Sequence, residues 1–133
     1  MLIFTDKEIT IEVYQHLRIA SGLSAKSNEA ASLGLANTLF GVLAEIDNQP
    51  VGMGRLIGDG GCFCQVVDIC VLPEQQGKGI GKAIMQAIKA YIDGQLPSTC
   101  YISLLADGNA DQLYKQFGFT ESMPQSKGMF LKK

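Results

Sequence analysis

The sequence predicts one α+β domain over residues 1–133, a mixed and mostly antiparallel sheet flanked by helices. Three observations point there. Alternating apolar residues dominate the middle of the chain, isoleucines recur every fourth residue from 80 to 92, and a glycine-rich loop joins the two regions. The balance of 47% apolar to 18% charged residues is that of a chain with a buried core, not of a disordered one.

Residues 2–4 suit a short first strand. Thr5-Asp6-Lys7-Glu8 has capping-box spacing for a helix carrying Ile9, Val13, Leu17 and Ala20, which Gly22 stops. A weaker helix over 27–36 would turn Ala30 and Leu33 inward. Phe40, Val42, Ala44 and Ile46 alternate as a strand, and Asp47-Asn48-Gln49-Pro50 supplies a turn. Val51, Met53, Arg55 and Ile57 continue the alternation, with Gly52, Gly54 and Gly58 on the opposite face. After Asp59-Gly60-Gly61, residues 63–72 are apolar on both faces, as expected of a central strand, and Pro73 ends it. Ile80, Ile84, Ile88 and Ile92, with Ala83, Ala87 and Tyr91 beside them, define a long helix closed by Gly94. A strand over 100–106 follows, then a short helix marked by Ala110, Leu113, Tyr114 and Phe117 and ended by Gly118. Two more strands, near Phe119 and over 129–131, bring the expectation to six to seven strands and about four helices.

Several function classes drop out. A formal charge of −2 gives no general attraction to nucleic acid. Cys62, Cys64, Cys70 and Cys100 form no CxxC pair and His16 lies far from them, so no metal site is expected. Buried thiols in a reduced cytoplasm are the simpler expectation. No basic stretch followed by a long apolar one occurs near Met1, so neither a signal peptide nor a membrane partner is predicted.

The chemistry concentrates at Val71-Leu72-Pro73-Glu74-Gln75-Gln76-Gly77-Lys78-Gly79-Ile80-Gly81-Lys82, where a strand gives way to a helix. Unpaired N–H groups and the positive end of the helix dipole attract phosphate oxygens there, and glycines let the backbone come close. Spacing separates the candidates. An ATP-binding P-loop needs Gly where Gln76 stands and Ser or Thr where Ala83 stands. The dinucleotide pattern GxGxxG fails from Gly77 at Lys82 and from Gly79 at Ile84. Gln/Arg-x-x-Gly-x-Gly/Ala is met by Gln76, Gly79 and Gly81.

That pattern, after an apolar strand ending Val-x-Pro and before Leu113-Tyr114-Lys115-Gln116-Phe117-Gly118-Phe119, resembles the GNAT superfamily of acyl-CoA-dependent N-acetyltransferases over most of the chain. The resemblance implies acetyl-CoA as co-substrate, with its diphosphate on the backbone of Gln76, Gly77, Lys78, Gly79, Ile80, Gly81 and Lys82. It also implies a pantetheine arm paired with the strand edge at Cys70 and Val71. Tyr114 matches the tyrosine that protonates the departing thiolate in such enzymes, though it also falls on the apolar face of its helix. Asp107 stands where many members have a pantetheine-binding Asn, and Asn109 is the substitute; either could instead cap the short helix.

Asp68 interrupts an apolar strand and needs a partner, as a base for the acceptor amine or as a structural carboxylate. Gln65, near the place of a catalytic glutamate in some relatives, cannot act as a base. Arg18 and Arg55 are candidate contacts for an acceptor carboxylate, the alternative being internal salt bridges. Nothing activates Cys70 as a nucleophile, and His16 has no expected duty. The resemblance implies a small primary amine as acceptor. A protein amine, or a non-catalytic acyl-CoA-binding regulatory domain, are the alternatives, and homodimers are common in the superfamily.

Overall fold

The computed structural model describes residues 2–5 and 8–133. In chain order the elements are β1 (Leu2–Thr5), α1 (Ile11–Ala20), α2 (Asn28–Ala36), β2 (Phe40–Ile46), β3 (Gln49–Gly58), β4 (Phe63–Val71), a 3-10 turn (Pro73–Gln75), α3 (Ile80–Gln95), β5 (Tyr101–Ser103) and α4 (Asp111–Lys115). The strands form one sheet in sequence order. The first four pair antiparallel, and β5 pairs parallel to β4.

This is the expected α+β class with a mixed sheet and four helices. The strand count needs correction: five strands form among the described residues, not six to seven. Residues near Phe119 and over 129–131 form no strand pairing among the described residues, and β5 keeps only three residues of the expected 100–106. A strand exists only where an edge receives it.

Helix starts moved for a similar reason. Thr5 is spent on β1, opposite Leu43, and Asp6 and Lys7 lie outside the described residues. The cap of α1 is Thr10, whose hydroxyl accepts from the Val13 N–H at 3.2 Å. Ser27 caps α2 in the same way, accepting from Ala30 at 3.0 Å. The inward face of α2 is Ala31, while Ala30 and Leu33 are exposed. Gly94 does not stop α3, which runs to Gln95 with Leu96 as its C-cap. The β2–β3 turn is tighter than expected: Asp47 and Asn48 alone, both at positive φ, make the two-residue hairpin.

The core lies between the sheet and α3. Ile80, Ile84, Met85 and Ile88 are essentially inaccessible, packed over β2, β3 and β4. The glycines of β3 explain how close α3 comes. A Cβ at Gly54 would lie 2.5 Å from Ile69, 2.7 Å from Ile84 and 3.1 Å from Ile88. Bare backbone at Gly54 is therefore the floor on which the isoleucine ridge of α3 rests.

Gly54→Ala is expected to lower stability by about 1–3 kcal/mol through overpacking, read as a lower urea midpoint. Gly34, inside α2 with nothing within 4 Å of an added Cβ, should respond oppositely. Gly34→Ala should raise stability by about 0.5–1 kcal/mol.

Candidate active site

The site is organised by a defect in β4. Met53 faces Cys70, but Arg55 faces Val67, so β4 carries one more residue than β3 across this stretch. Asp68 sits in that bulge at φ 61°, a left-handed conformation that Asp tolerates better than most residues. Three side chains hold it there. Arg18 Nη1 donates to Asp68 Oδ1 at 2.6 Å, Arg55 Nη1 donates to Oδ2 at 2.7 Å, and the Tyr14 hydroxyl lies 3.0 Å from both oxygens. The Asp68 side chain is 6% exposed.

Two guanidiniums and one carboxylate leave a buried excess of positive charge. It is solvated by the protein. Arg18 Nε donates to the Ser24 carbonyl at 2.8 Å. Arg55 Nε donates to Thr38 Oγ1 at 3.0 Å, and its Nη2 donates to the Gly34 carbonyl at 2.8 Å. Both guanidiniums also lie over the Tyr14 ring, 5.9 and 5.6 Å from its centroid. Burial and the Asp68 carboxylate push the Tyr14 hydroxyl above its usual 10.0, so it stays a proton donor to that carboxylate. Arg18 and Arg55 are thus turned inward, tying α1, α2 and the segments that follow each helix to the bulge. Tyr14 belongs to the same cluster and was not singled out from sequence, where it reads as one more apolar-face residue of α1.

β4 and β5 pair only over three positions, from Phe63–Tyr101 to Gln65–Ser103. Beyond them the β5 side of β4 is unpaired to Val71 among the described residues, the point where the Pro73–Gln75 turn begins. The exposed loop from Gln76 to Gly79 then leads into α3. Gln76 Nε2 donates to the Val71 carbonyl at 3.1 Å, and Lys78 Nζ donates to Gln75 Oε1 at 2.9 Å. Gly79 is the N-cap of α3 at φ 81°, with no side chain capping the first turn, and Gly77 has φ 78°. A Cβ at either glycine would meet nothing within 4 Å. Conformation, not space, requires glycine there. The cradle therefore fits a diphosphate: open N–H groups of Ile80, Gly81 and Lys82 at a sixteen-residue helix, with the Lys78 and Lys82 side chains exposed beside it.

Tyr114 lies on α4 across the gap, 9% exposed, with Phe119 edge-on at 6.4 Å. Its hydroxyl makes no hydrogen bond among the described residues. Burial first, and then the Asp107 carboxylate, raise it above 10.0, so it keeps its proton at neutral pH. Cys70 is buried with its Sγ toward the Leu17 carbonyl, and burial pushes its thiol up to about 11, which suits no nucleophile. Asp107 and Asn109 are exposed, and neither side chain caps α4, whose N-cap is Ala110. His16 is exposed on α1. No metal-binding cluster forms among the described residues, and no helix there is long and apolar enough to cross a membrane.

A mixed sheet with an unpaired edge running into a glycine-rich helix start sets a strand-pairing surface beside an anion cradle. The sequence profile of the acetyltransferase (GNAT) domain matches residues 37–121, so the chain belongs to the GNAT acetyltransferase family. A crystal structure of a protein from meticillin-resistant Staphylococcus aureus, described as a probable acetyltransferase, superposes with a TM-score of 0.94 at 45% identity over the whole of both chains. GCN5-related N-acetyltransferase 1, chloroplastic, of Arabidopsis thaliana is 27% identical over 132 residues, 97% of this chain and 66% of the relative. Serotonin N-acetyltransferase 2, chloroplastic, of rice is 33% identical over 81 residues, 61% of this chain. The chain spans less than two thirds of the length of these curated relatives, down to 40% for the rice protein.

Asp68→Asn keeps the shape and the tolerance for positive φ but removes the charge that two buried guanidiniums share. A loss of about 3–5 kcal/mol is expected in equilibrium unfolding.

Proposed function

We propose that this domain transfers acetyl from acetyl-CoA to a primary amine of a small acceptor, by direct attack with both substrates bound. One observation carries the reading: the unpaired edge of β4 is continuous with a helix start that no side chain caps. An amide-bearing arm pairs with such an edge as a strand would, and a diphosphate is held by such a helix start. Acetyl-CoA carries both on one molecule. Cys70 and Val71 would face the arm, and Gln76, Gly77, Lys78, Gly79, Ile80, Gly81 and Lys82 the diphosphate. Asn109, exposed before α4, is a further contact on the opposite side.

The amine must shed a proton before it attacks. At pH 7 this costs roughly 4 kcal/mol for an ammonium of pKa about 10. Asp68 is a poor recipient, because both its oxygens already accept from Arg18, Arg55 and Tyr14. We therefore assign Asp68, Arg18 and Arg55 to holding the bulge, and proton removal to water. As the C–N bond forms and the C–S bond breaks, Tyr114 gives its proton to the leaving sulfur. The name of the rice relative, a serotonin N-acetyltransferase, supports a small amine as the acceptor class.

An acceptor screen that follows free CoA thiol, with arylalkylamines, polyamines, amino acids, aminosugars and peptides bearing a free N-terminus or lysine, tests the reading. Turnover with small amines is expected. Turnover with peptides alone would move the acceptor to proteins, and CoA binding without any turnover would leave a binding domain. Tyr114→Phe should lower kcat about 100-fold with little change in the KM for acetyl-CoA. Because Tyr114 titrates above 10.0, its alkaline limb should lie above that pH and vanish in the variant. Gly79→Ala strains a left-handed residue by about 1–2 kcal/mol and should raise the KM for acetyl-CoA more than it lowers kcat.

A further inference from the structure

Two free cysteines touch where β4 and β5 begin to pair. The Cys100 S–H donates to Cys64 Sγ at 3.7 Å, across 36 residues of sequence. Neither thiol has a part in acyl transfer as described above.

The backbone holds the two sulfurs together. The Tyr101 N–H donates to the Cys62 carbonyl at 2.8 Å, and Phe63 and Cys64 then face Tyr101 and Ile102 in parallel register. On the other flank the Cys100 N–H donates to the Pro97 carbonyl at 3.0 Å, closing the turn after α3. Cys64 is 4% exposed within the core, and Cys100 packs against that core. An S–S bond of about 2.05 Å requires the sulfurs to close by roughly 1.7 Å, a movement that side-chain rotation supplies.

Access differs between the two thiols, and this sets the order of reaction. Cys100 is partly exposed and Cys64 is buried, so a small oxidant meets Cys100 first. We propose that Cys64 and Cys100 are a redox modification site, joined as a disulfide when the protein meets a low-molecular-weight disulfide. The Cys100 thiol gives its proton to solvent and attacks one sulfur of the reagent. The reagent's S–S bond breaks, and one thiolate leaves and is protonated. Cys64 then loses its proton and attacks the Cys100 sulfur of the mixed disulfide, and the second thiolate leaves and is protonated. Two protein thiols are oxidised, one reagent disulfide is reduced to two thiols, and no proton is gained or lost overall. Desolvation, and then Cys64 itself, raise the Cys100 thiol above its usual 9.0, so the first attack is slow at neutral pH and calls for excess reagent.

The place of the link gives it a consequence. It closes a loop over residues 65–99, which holds the rest of β4, the glycine-rich loop and all of α3. That segment carries most of the proposed acetyl-CoA contacts, but the link does not depend on them. A cross-link stabilises chiefly by restricting the unfolded chain. This one also pins β5 just before its three paired positions, close to where the β4 edge becomes free.

Treating the whole chain with excess oxidised glutathione, then quenching with acid, alkylating and mapping peptides without reduction, tests the site with no measurement of acyl transfer. A peptide pair joined through Cys64 and Cys100 is expected, with a urea midpoint above that of the reduced chain. Dithiothreitol should reverse both. In Cys62→Ser, which removes the exposed thiol, the thiols titrated in denaturant should fall from three to one. Cys100→Ser should show no midpoint shift on the same treatment. Free Cys64 and Cys100 after treatment, a glutathione adduct that stays on Cys100, or a link from Cys100 to Cys62 would each overturn the proposal. A Cys64–Cys100 link that leaves the midpoint unmoved would overturn its stabilising role.

Discussion

The carboxylate of Asp68 is the point at which the parts of this domain meet. It sits in a bulge that the sheet would otherwise straighten, on a residue with left-handed backbone, and the side chains that hold it come from α1 and β3. Through Arg18 it fixes the segment after α1, and through Arg55 the end of α2 and Thr38. A buried ion cluster of this kind adds little net stability over an apolar one, but it is intolerant of partial occupancy. What it does in this fold is tie α1, the end of α2, β3 and the β4 bulge to one carboxylate.

From that bulge the rest of the site follows. The extra residue in β4 turns Ile69 toward Gly54 and α3, on the face where the isoleucine ridge packs. With α3 set on the sheet, its first turn lies where β4 ends, and the positive-φ glycines before it leave the N–H groups open. Because β4 and β5 pair over only three positions, the β4 edge is free along the approach to that helix start. The geometry of this edge and helix start is thus set by the backbone, held by packing at one end and by an ion cluster at the other.

Much of this was legible in the chain. The ridge of Ile80, Ile84 and Ile88, the strand alternation and the loop at Gln76, Gly79 and Gly81 depend on local period and local φ preference, which sequence states directly. Asp68 was legible as an anomaly, a charge in an apolar strand. Its partners were not, because Arg18 and Arg55 lie 50 and 13 residues away and Tyr14 looks like any apolar-face residue. The Thr5 capping box does not form, because Thr5 pairs with Leu43 in the sheet and Thr10 caps α1. Leu33 was assigned inward because α2 is only weakly amphipathic, so its rotation is decided by what Ala31 packs against.

By itself, then, the sequence determined the class of fold, the helix start that suits a diphosphate and the failure of the rival nucleotide-binding spacings, since each rests on residues close together in the chain. Tertiary structure alone decided which charges meet at Asp68, where β5 stops pairing and that residues 129–131 remain without an edge. Those outcomes depend on which surfaces come within a few ångströms of each other, and no local pattern encodes that distance.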